Sequence, residues 1–363
     1  MDRGSSRLSE PLGITFEEHD RAGVVTLDRP GNLNALTREM FEALSTNYAR
    51  WAPAPQIYGI AMQSSHPTVF CSGGDLKVLN ELNRQGATEA IREFYRAAYS
   101  HVWTLENFIR PNVPLINGLV FGGGIGITLF GTHCVAAEGY RFAMPQVGIG
   151  FLPDIGGTYF LPRLMGWMGT YLALTGASIG PADAHRLRLV THYIPSTQFD
   201  VVKDALAANH PIDRLLDGLH RDPGEGKVVR KTPVINRTFS AGSVEEILAR
   251  LDAEKGEDEV WAKETANELR KKSPTSLKIA FKQMQVGKSL TLREALKLEF
   301  RLASHLIEMH DFGEGVDARI AGKGRAAKWQ PATLENVSDA EIDRLFATPV
   351  DGELHLMDPN GAA

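Results

Sequence analysis

The sequence predicts an α/β fold with a helical C-terminal region, and three observations predict it. Short apolar runs alternate with helix-period segments up to about residue 210. Two glycine-rich turns each follow an expected strand and begin an expected helix. Beyond about residue 210 the apolar strands thin out, and charged stretches of helical period take their place.

Taken in order, ITFEEHD (14–20) and GVVTLDRP (23–30) alternate in polarity around a turn at Asp20 to Gly23, which predicts a hairpin. Thr37 can cap a helix over LTREMFEAL, because Met40, Phe41 and Leu44 then share one face. IYGIAMQSS (57–65) reads as a buried strand. The pattern repeats with a helix across ATEAIREFYRAAYSHVWTLENF, a strand at VPLING, a glycine-led helix from GGGIGITLFG and a strand at HCVAAE. Short parallel strands with intervening helices follow from this order. KGEDEVWAKETANELRKK, SPTSLKIAFKQM and TLREALKLEFRLASHLIEMH then read as helices, the last two capped by Ser273 and Thr291. The segment 220–239, rich in Pro, Gly and charge, is expected to be a loop or linker. HDFGEG (310–315) is expected to end one helix and turn into the next at Gly313 or Gly315. The resulting division is a strand-and-helix core over 13–210, a mainly helical region over 211–345 that continues it, and a tail over 346–363.

Composition excludes several classes. The 363 residues are 43% hydrophobic and 23% charged with a net charge of −5, which offers no basic footprint for nucleic acid. Cys71 and Cys134 lack the spacing of a zinc or redox motif and read as packed thiols in a reducing compartment. No apolar run reaches the length of a membrane span, and MDRGSSRLSE lacks the apolar core of a signal peptide, so a cytoplasmic location without membrane attachment is expected. His133, His185 and His192 lack metal-ligand spacing, and no metal is assigned.

The chemistry-bearing pieces are FCSGGDL (70–76), FGGGIG (121–126) and AMPQVGIGFLPDIGG (143–157). Glycine lets the main chain approach a ligand, and a helix start carries unpaired N–H groups and the positive end of the dipole. If the two glycine turns face each other, amides near Ser72 and Gly123 can converge on an oxygen that gains negative charge; otherwise they are packing turns. Neither fits a dinucleotide fingerprint or a P-loop. Asp75 is expected to cap its helix or brace its turn. In the third piece Asp154 is the acid or base candidate, with a helix N-cap as the alternative, and Gln146 eight residues earlier can only position, since an amide takes no proton near neutral pH.

These runs, GVVTLDRPGNLNAL, FCSGGDL, NGLVFGGGIGI and AMPQVGIGFLPDIGGTYFLPRL, resemble the crotonase (enoyl-CoA hydratase/isomerase) superfamily in order and spacing. SPTSLKIAFKQM, LEFRLASHLIEMHDFGEGVDARI and KWQPATL resemble its 3-hydroxyisobutyryl-CoA hydrolase branch, over roughly 13–345 together. The resemblance implies a crotonase-like spiral of ββα units, a homo-oligomer and an acyl-CoA substrate. It needs no cofactor, because coenzyme A is part of the substrate. The thioester oxygen would sit between the amides of Ser72 and Gly123, with Gly73, Gly74, Asp75, Gly122, Gly124 and Ala98 around the substrate. Hydratases of the superfamily use glutamates that match Gly126 and Gln146, so this chain has neither. The hydrolase branch shares glycine at 126 and an aspartate matching Asp154, but has glutamates matching Gln146 and Ala98. The expected activity is hydrolysis of an acyl-CoA thioester. A hydratase or isomerase using Asp154 on carbon, and a non-catalytic acyl-CoA binder, are the alternatives.

Overall fold

The computed structural model describes residues 12–322 and 325–357. The reading of MDRGSSRLSE as lacking a targeting signal falls outside the described residues. Strands β1 (Ile14–His19) and β2 (Ala22–Leu27) form the expected antiparallel hairpin. Thr37 caps α1 (Arg38–Trp51) by accepting the Met40 amide, and Met40, Phe41, Leu44, Tyr48 and Trp51 line its buried face. Strands β3 (Gly59–Ser64) and β4 (Val69–Cys71) follow, then helices α2 (Leu76–Arg84) and α3 (Thr88–Glu106). The apolar spacing of α3, with Ile91, Phe94, Tyr95, Ala98, Tyr99, Val102 and Leu105 buried, gives it one broad inward face.

The remaining strands are β5 (Asn112–Ile116), β6 (Leu119–Phe121), β7 (Val135–Ala136), β8 (Arg141–Ala143) and β9 (His192–Tyr193). One sheet has the order β1-β2-β3-β5-β7-β9 and the other β4-β6-β8, and every pairing except β1 with β2 is parallel. From β3 onward the chain alternates between the two sheets, laying one strand in each per turn, and this alternation is the spiral of ββα units. Its consequence is positional. Because β4, β6 and β8 run parallel side by side, their carboxyl ends deliver residues 72–74, 122–124 and 144–146 to a single edge, where open α/β sheets bind ligands.

Three expectations are corrected. The glycine-led helix is only α4 (Gly123–Gly126), since glycine opposes helix extension and Thr128 Oγ turns back to the Gly124 carbonyl. Segment 220–239 is not a linker throughout: Thr232–Phe239 is a helix that buries Val234, Ile235, Thr238 and Phe239, and its proline lies in the first turn, where it is tolerated. His310–Ala321 is one continuous helix through Gly313 and Gly315. Gly315 serves close approach instead of a break, because a Cβ there would lie 2.3 Å from the Ile149 carbonyl carbon.

The helical region packs on the strand core through one continuous set of buried side chains. Ser273 and Thr291 cap the helices Pro274–Val286 and Leu292–Leu306 as expected. The described part of the tail is docked on the body of the fold. Leu354 and Leu356 are buried, Arg96 donates to the Gly352 carbonyl at 2.7 Å, and the Trp103 indole donates to the Met357 carbonyl at 2.9 Å. Residues 358–363 of that tail lie outside the described residues. No helix among the described residues is long and apolar enough to cross a membrane.

Candidate active site

A cavity of about 210 Å³ opens at the common end of β4, β6 and β8. The two glycine turns line it side by side. Gly73 and Gly122 take φ of +103° and +44°, left-handed values that L side chains rarely adopt, and these fold each strand end back toward the other turn. A Cβ on Gly123 would lie 3.3 Å from the Gly74 amide nitrogen, so the turns are in van der Waals contact.

The donor assignment differs from expectation in one residue. The Ser72 N–H donates to the Leu33 carbonyl at 3.1 Å and is not available to a ligand. The amides of Gly74 and Gly123 meet no acceptor among the described residues, so the adjacent free pair is Gly74 with Gly123. Ser72, Gly73, Gly122 and Ala98 line the cavity with them. Asp75 and Gly124 do not. The Asp75 carboxylate caps α2 through the Lys77 and Val78 amides and pairs with Arg29 at 2.9 Å, so it braces the turn. Gly124 faces Cys71, whose Cβ would lie 2.8 Å from an added Cβ.

Opposite the amides stands Asp154, 4% exposed. Its Oδ1 accepts from Gln146 Nε2 and its Oδ2 from the Tyr99 hydroxyl, both at 2.9 Å. Burial pushes its carboxyl up to about 6, against the pull of these two hydrogen bonds. The Gln146 amide is oriented by what it donates to, which leaves its Oε1 buried with no partner among the described residues. Asp154 is not the helix cap. Both oxygens of Glu299 take that role, accepting the Gly156 amide at 2.8 Å and the Thr158 amide at 2.7 Å at the start of α5 (Gly157–Phe160). Gln283 holds the same segment through the Pro153 carbonyl and Thr158 Oγ. Glu299 is fully buried, and burial together with the Asp154 charge pushes its carboxyl up to about 8.

The turn that presents Asp154 contains a non-glycine residue at φ +57°, Ile155, a conformation that costs about 1–2 kcal/mol. It lays the Ile155 side chain over Gly126, where a Cβ would lie 2.0 Å from Ile155 Cγ2. Position 126 therefore has no room for a carboxylate. Lys272 and Arg319 line the cavity from the C-terminal region with no ion-pair partner among the described residues, and burial lowers the Lys272 pKa.

Other candidates lie elsewhere. His133 and His192 pair with Asp213 and Asp217, each at 3.2 Å, and the rings of His185 and His220 are 4.8 Å apart. No metal-holding group of His, Cys, Asp and Glu occurs among the described residues. The Glu138 carboxylate accepts the Ser196 amide, and Glu106 lines a separate groove. Both cysteines are buried free thiols. The sequence reading missed Tyr99, Tyr95 and Glu299. Glu299 carries a legible signal, because it occupies the apolar stripe Leu292, Leu296, Leu302, Leu306 of its helix, where a charge needs a partner.

A strand spiral whose glycine turns face a buried carboxylate across an acyl-sized cavity defines a crotonase fold, and the chain belongs to the enoyl-CoA hydratase/isomerase family, whose sequence pattern matches residues 22–346. It is an enzyme of that superfamily. Within it, the chain is 37% identical over 353 residues to the mitochondrial 3-hydroxyisobutyryl-CoA hydrolase of Danio rerio, covering 94% of this chain and 91% of that one. It is 36% identical over 347 residues to the Homo sapiens protein of the same name, covering 92% and 88%. Among solved structures it superposes on a carnitinyl-CoA dehydratase from Mycobacterium thermoresistibile with TM-score 0.89 and 29% identity, covering 94% and 98%. An enoyl-CoA hydratase from Rhodobacter sphaeroides matches with TM-score 0.87 and 31% identity, covering 95% and 100%.

Proposed function

We propose that this protein hydrolyses the thioester of a short branched 3-hydroxyacyl-CoA. The observation that carries the reading is a buried carboxylate, Asp154, with a pKa of about 6, set across the cavity from the free amides of Gly74 and Gly123. The names of the hydrolase relatives support the choice of substrate. In this reading the amides hold the thioester oxygen, and a water in the cavity lies against the Asp154 carboxylate. The water oxygen attacks the carbonyl carbon as its proton passes to Asp154, and the carbonyl electrons move onto the oxygen held by the amides. Collapse of that oxyanion expels the coenzyme A sulfur, which takes the proton back. Lys272 and Arg319 meet the coenzyme's phosphates, whose charge they offset. No cofactor is required. Gln146 stands where hydrolases of this branch have a glutamate, so Asp154 is the sole base, steadied by the Gln146 amide and the Tyr99 hydroxyl.

The likeness to proteins named hydratase and dehydratase supports a second reading, proton transfer on carbon by Asp154. Against it stands Ile155, which occupies the space a second carboxylate at 126 would need. Incubation with short acyl-, enoyl- and 3-hydroxyacyl-CoAs, following free thiol and mass together, separates the readings. Thiol release supports the hydrolase, and a mass change of one water without thiol release supports the second. Binding without either means a non-catalytic binder. We also infer a cytoplasmic homo-oligomer, to be checked by fractionation of the source cells and by light scattering.

A further inference from the structure

Tyr95 lies one turn before Ala98 on α3, and both side chains face the cavity. Its ring is fixed by stacking on Phe151, with centroids 4.9 Å apart and planes 20° apart, and by the edge of Phe94 at 5.2 Å. Neighbouring buried tyrosines spend their hydroxyls inside the protein: Tyr99 donates to Asp154 and Tyr48 to Asn112 Oδ1. The Tyr95 hydroxyl has no partner among the described residues, although the residue is only 6% exposed. The hydroxyl is not sealed in the core, since Tyr95 lines the cavity, so a bound group can take the place of solvent there and accept or donate its hydrogen bond. The Tyr95 ring centroid is 5.8 Å from that of Tyr99, whose hydroxyl donates to Asp154, which sets Tyr95 on the carboxylate's side of the cavity. The surrounding wall is otherwise apolar, with Phe41, Leu79 and Phe94, and the small side chain of Ala98 leaves the adjacent space open.

We propose that Tyr95 is a specificity-determining residue whose hydroxyl bonds the neutral hydroxyl of a short hydroxyacyl chain on the thioester. The inference rests on the acyl-CoA reading above. An anionic acyl group is disfavoured by Asp154 beside it. Burial and the Asp154 charge hold the Tyr95 pKa well above the usual phenol range, so it remains a donor across the assay range.

The test uses two thioesters that differ by one hydroxyl, 3-hydroxyisobutyryl-CoA and isobutyryl-CoA, with wild type and Tyr95→Phe. The variant should lose about three- to tenfold in kcat/KM for the hydroxylated thioester and change far less for the other, so the preference collapses. Dissociation constants for both thioesters, measured by calorimetry in an Asp154→Asn background with and without Tyr95→Phe, should show the same collapse without turnover. Because the hydroxyl has no protein partner, Tyr95→Phe should melt at the wild-type temperature or above it. A melting point several degrees lower, or an equal effect on both thioesters, overturns the proposal. Preferential binding of the hydroxylated thioester that is lost in Tyr95→Phe, without hydrolysis of either by wild type, sustains the subsite and sinks the hydrolase reading instead.

Discussion

Replacing Gln146 by glutamate tests the proposed division of labour most directly. At present Gln146 Nε2 donates to Asp154 Oδ1 at 2.9 Å, a contact that favours the ionised aspartate. Gln146→Glu removes that donor and sets a second carboxyl at the same distance in a buried site. Two unit charges there repel by on the order of 5 kcal/mol at an effective dielectric near 20, equivalent to about four pKa units. The pair must then share one proton over the neutral range and titrate as a dyad, with a first step near or below the present value and a second far above it. One member is a carboxylate able to activate water and the other a carboxylic acid able to protonate the leaving sulfur. Thioester hydrolysis should rise by about 10²–10⁴-fold, the contribution of a positioned acid–base group, and the pH–rate profile should gain an alkaline limb. The assay is free-thiol release from the acyl-CoA panel between pH 5 and pH 10. A gain that stays small implicates Ala98, and adding Ala98→Glu should then exceed the sum of the single free-energy changes. Hydrolysis left unchanged or lowered across the panel refutes the reasoning, because the amide would then be fitted to another reaction.

Asp154→Asn keeps the size and loses the base, and should cost about 10²–10⁴-fold in turnover; retained activity would return the residue to a structural role. Gly123→Pro removes one of the two free amides and should lower turnover at least about 10²-fold in a variant whose melting curve shows it folded. The wild-type rate should fall below pH about 6 as Asp154 takes up its proton, with the acid limb set by that single group. Glu299 has a folded pKa raised to about 8 from 4.5, so the folded state binds more protons than the unfolded chain between those values. Stability from this group is therefore greatest at acid pH and declines as pH rises from about 4.5 to 8, by on the order of a few kcal/mol. The melting-temperature difference between wild type and Glu299→Gln should follow that course, and a difference independent of pH would contradict it.

Five strands of the larger sheet and the capped helices were legible because period and caps are local signals, whereas β4, β6 and β8, which make the second sheet, are three residues each and too short to show a period. Thr37, Ser273 and Thr291 each stand before an apolar helical face and accept the amide three residues on. What failed were places where a neighbour, not the local pattern, decided the backbone. Gly313 and Gly315 look like breakers, yet the helix runs through them, Gly315 giving room to the Ile149 main chain and Gly313 to the Asn83 side chain. Thr232–Phe239 hid its apolar face behind a charged, proline-bearing approach. At the site, the glycine turns and Asp154 were visible as types, but the choice of amide was not. That choice depends on Leu33, a residue distant in sequence that takes the Ser72 N–H and leaves Gly74 free.

Gln146 and Ala98 line the cavity with Asp154 and leave a consistent electrostatic arrangement. With Ile155 filling the space over Gly126 and an amide at 146, Asp154 is the only carboxylate lining the cavity among the described residues. Glu299, on which the Asp154 charge acts, is turned toward the Gly156 and Thr158 amides. A second cavity-facing carboxylate would share one proton with Asp154 over the neutral range, so that neither would titrate alone. The neutral Gln146 and Ala98 avoid that outcome, and the two tyrosines of α3 supply polarity without charge. Tyr99 steadies the base, and the Tyr95 hydroxyl remains free for the substrate. Catalysis by this one carboxylate requires that it stay ionised, and the acid limb of the wild-type rate profile reads that condition directly.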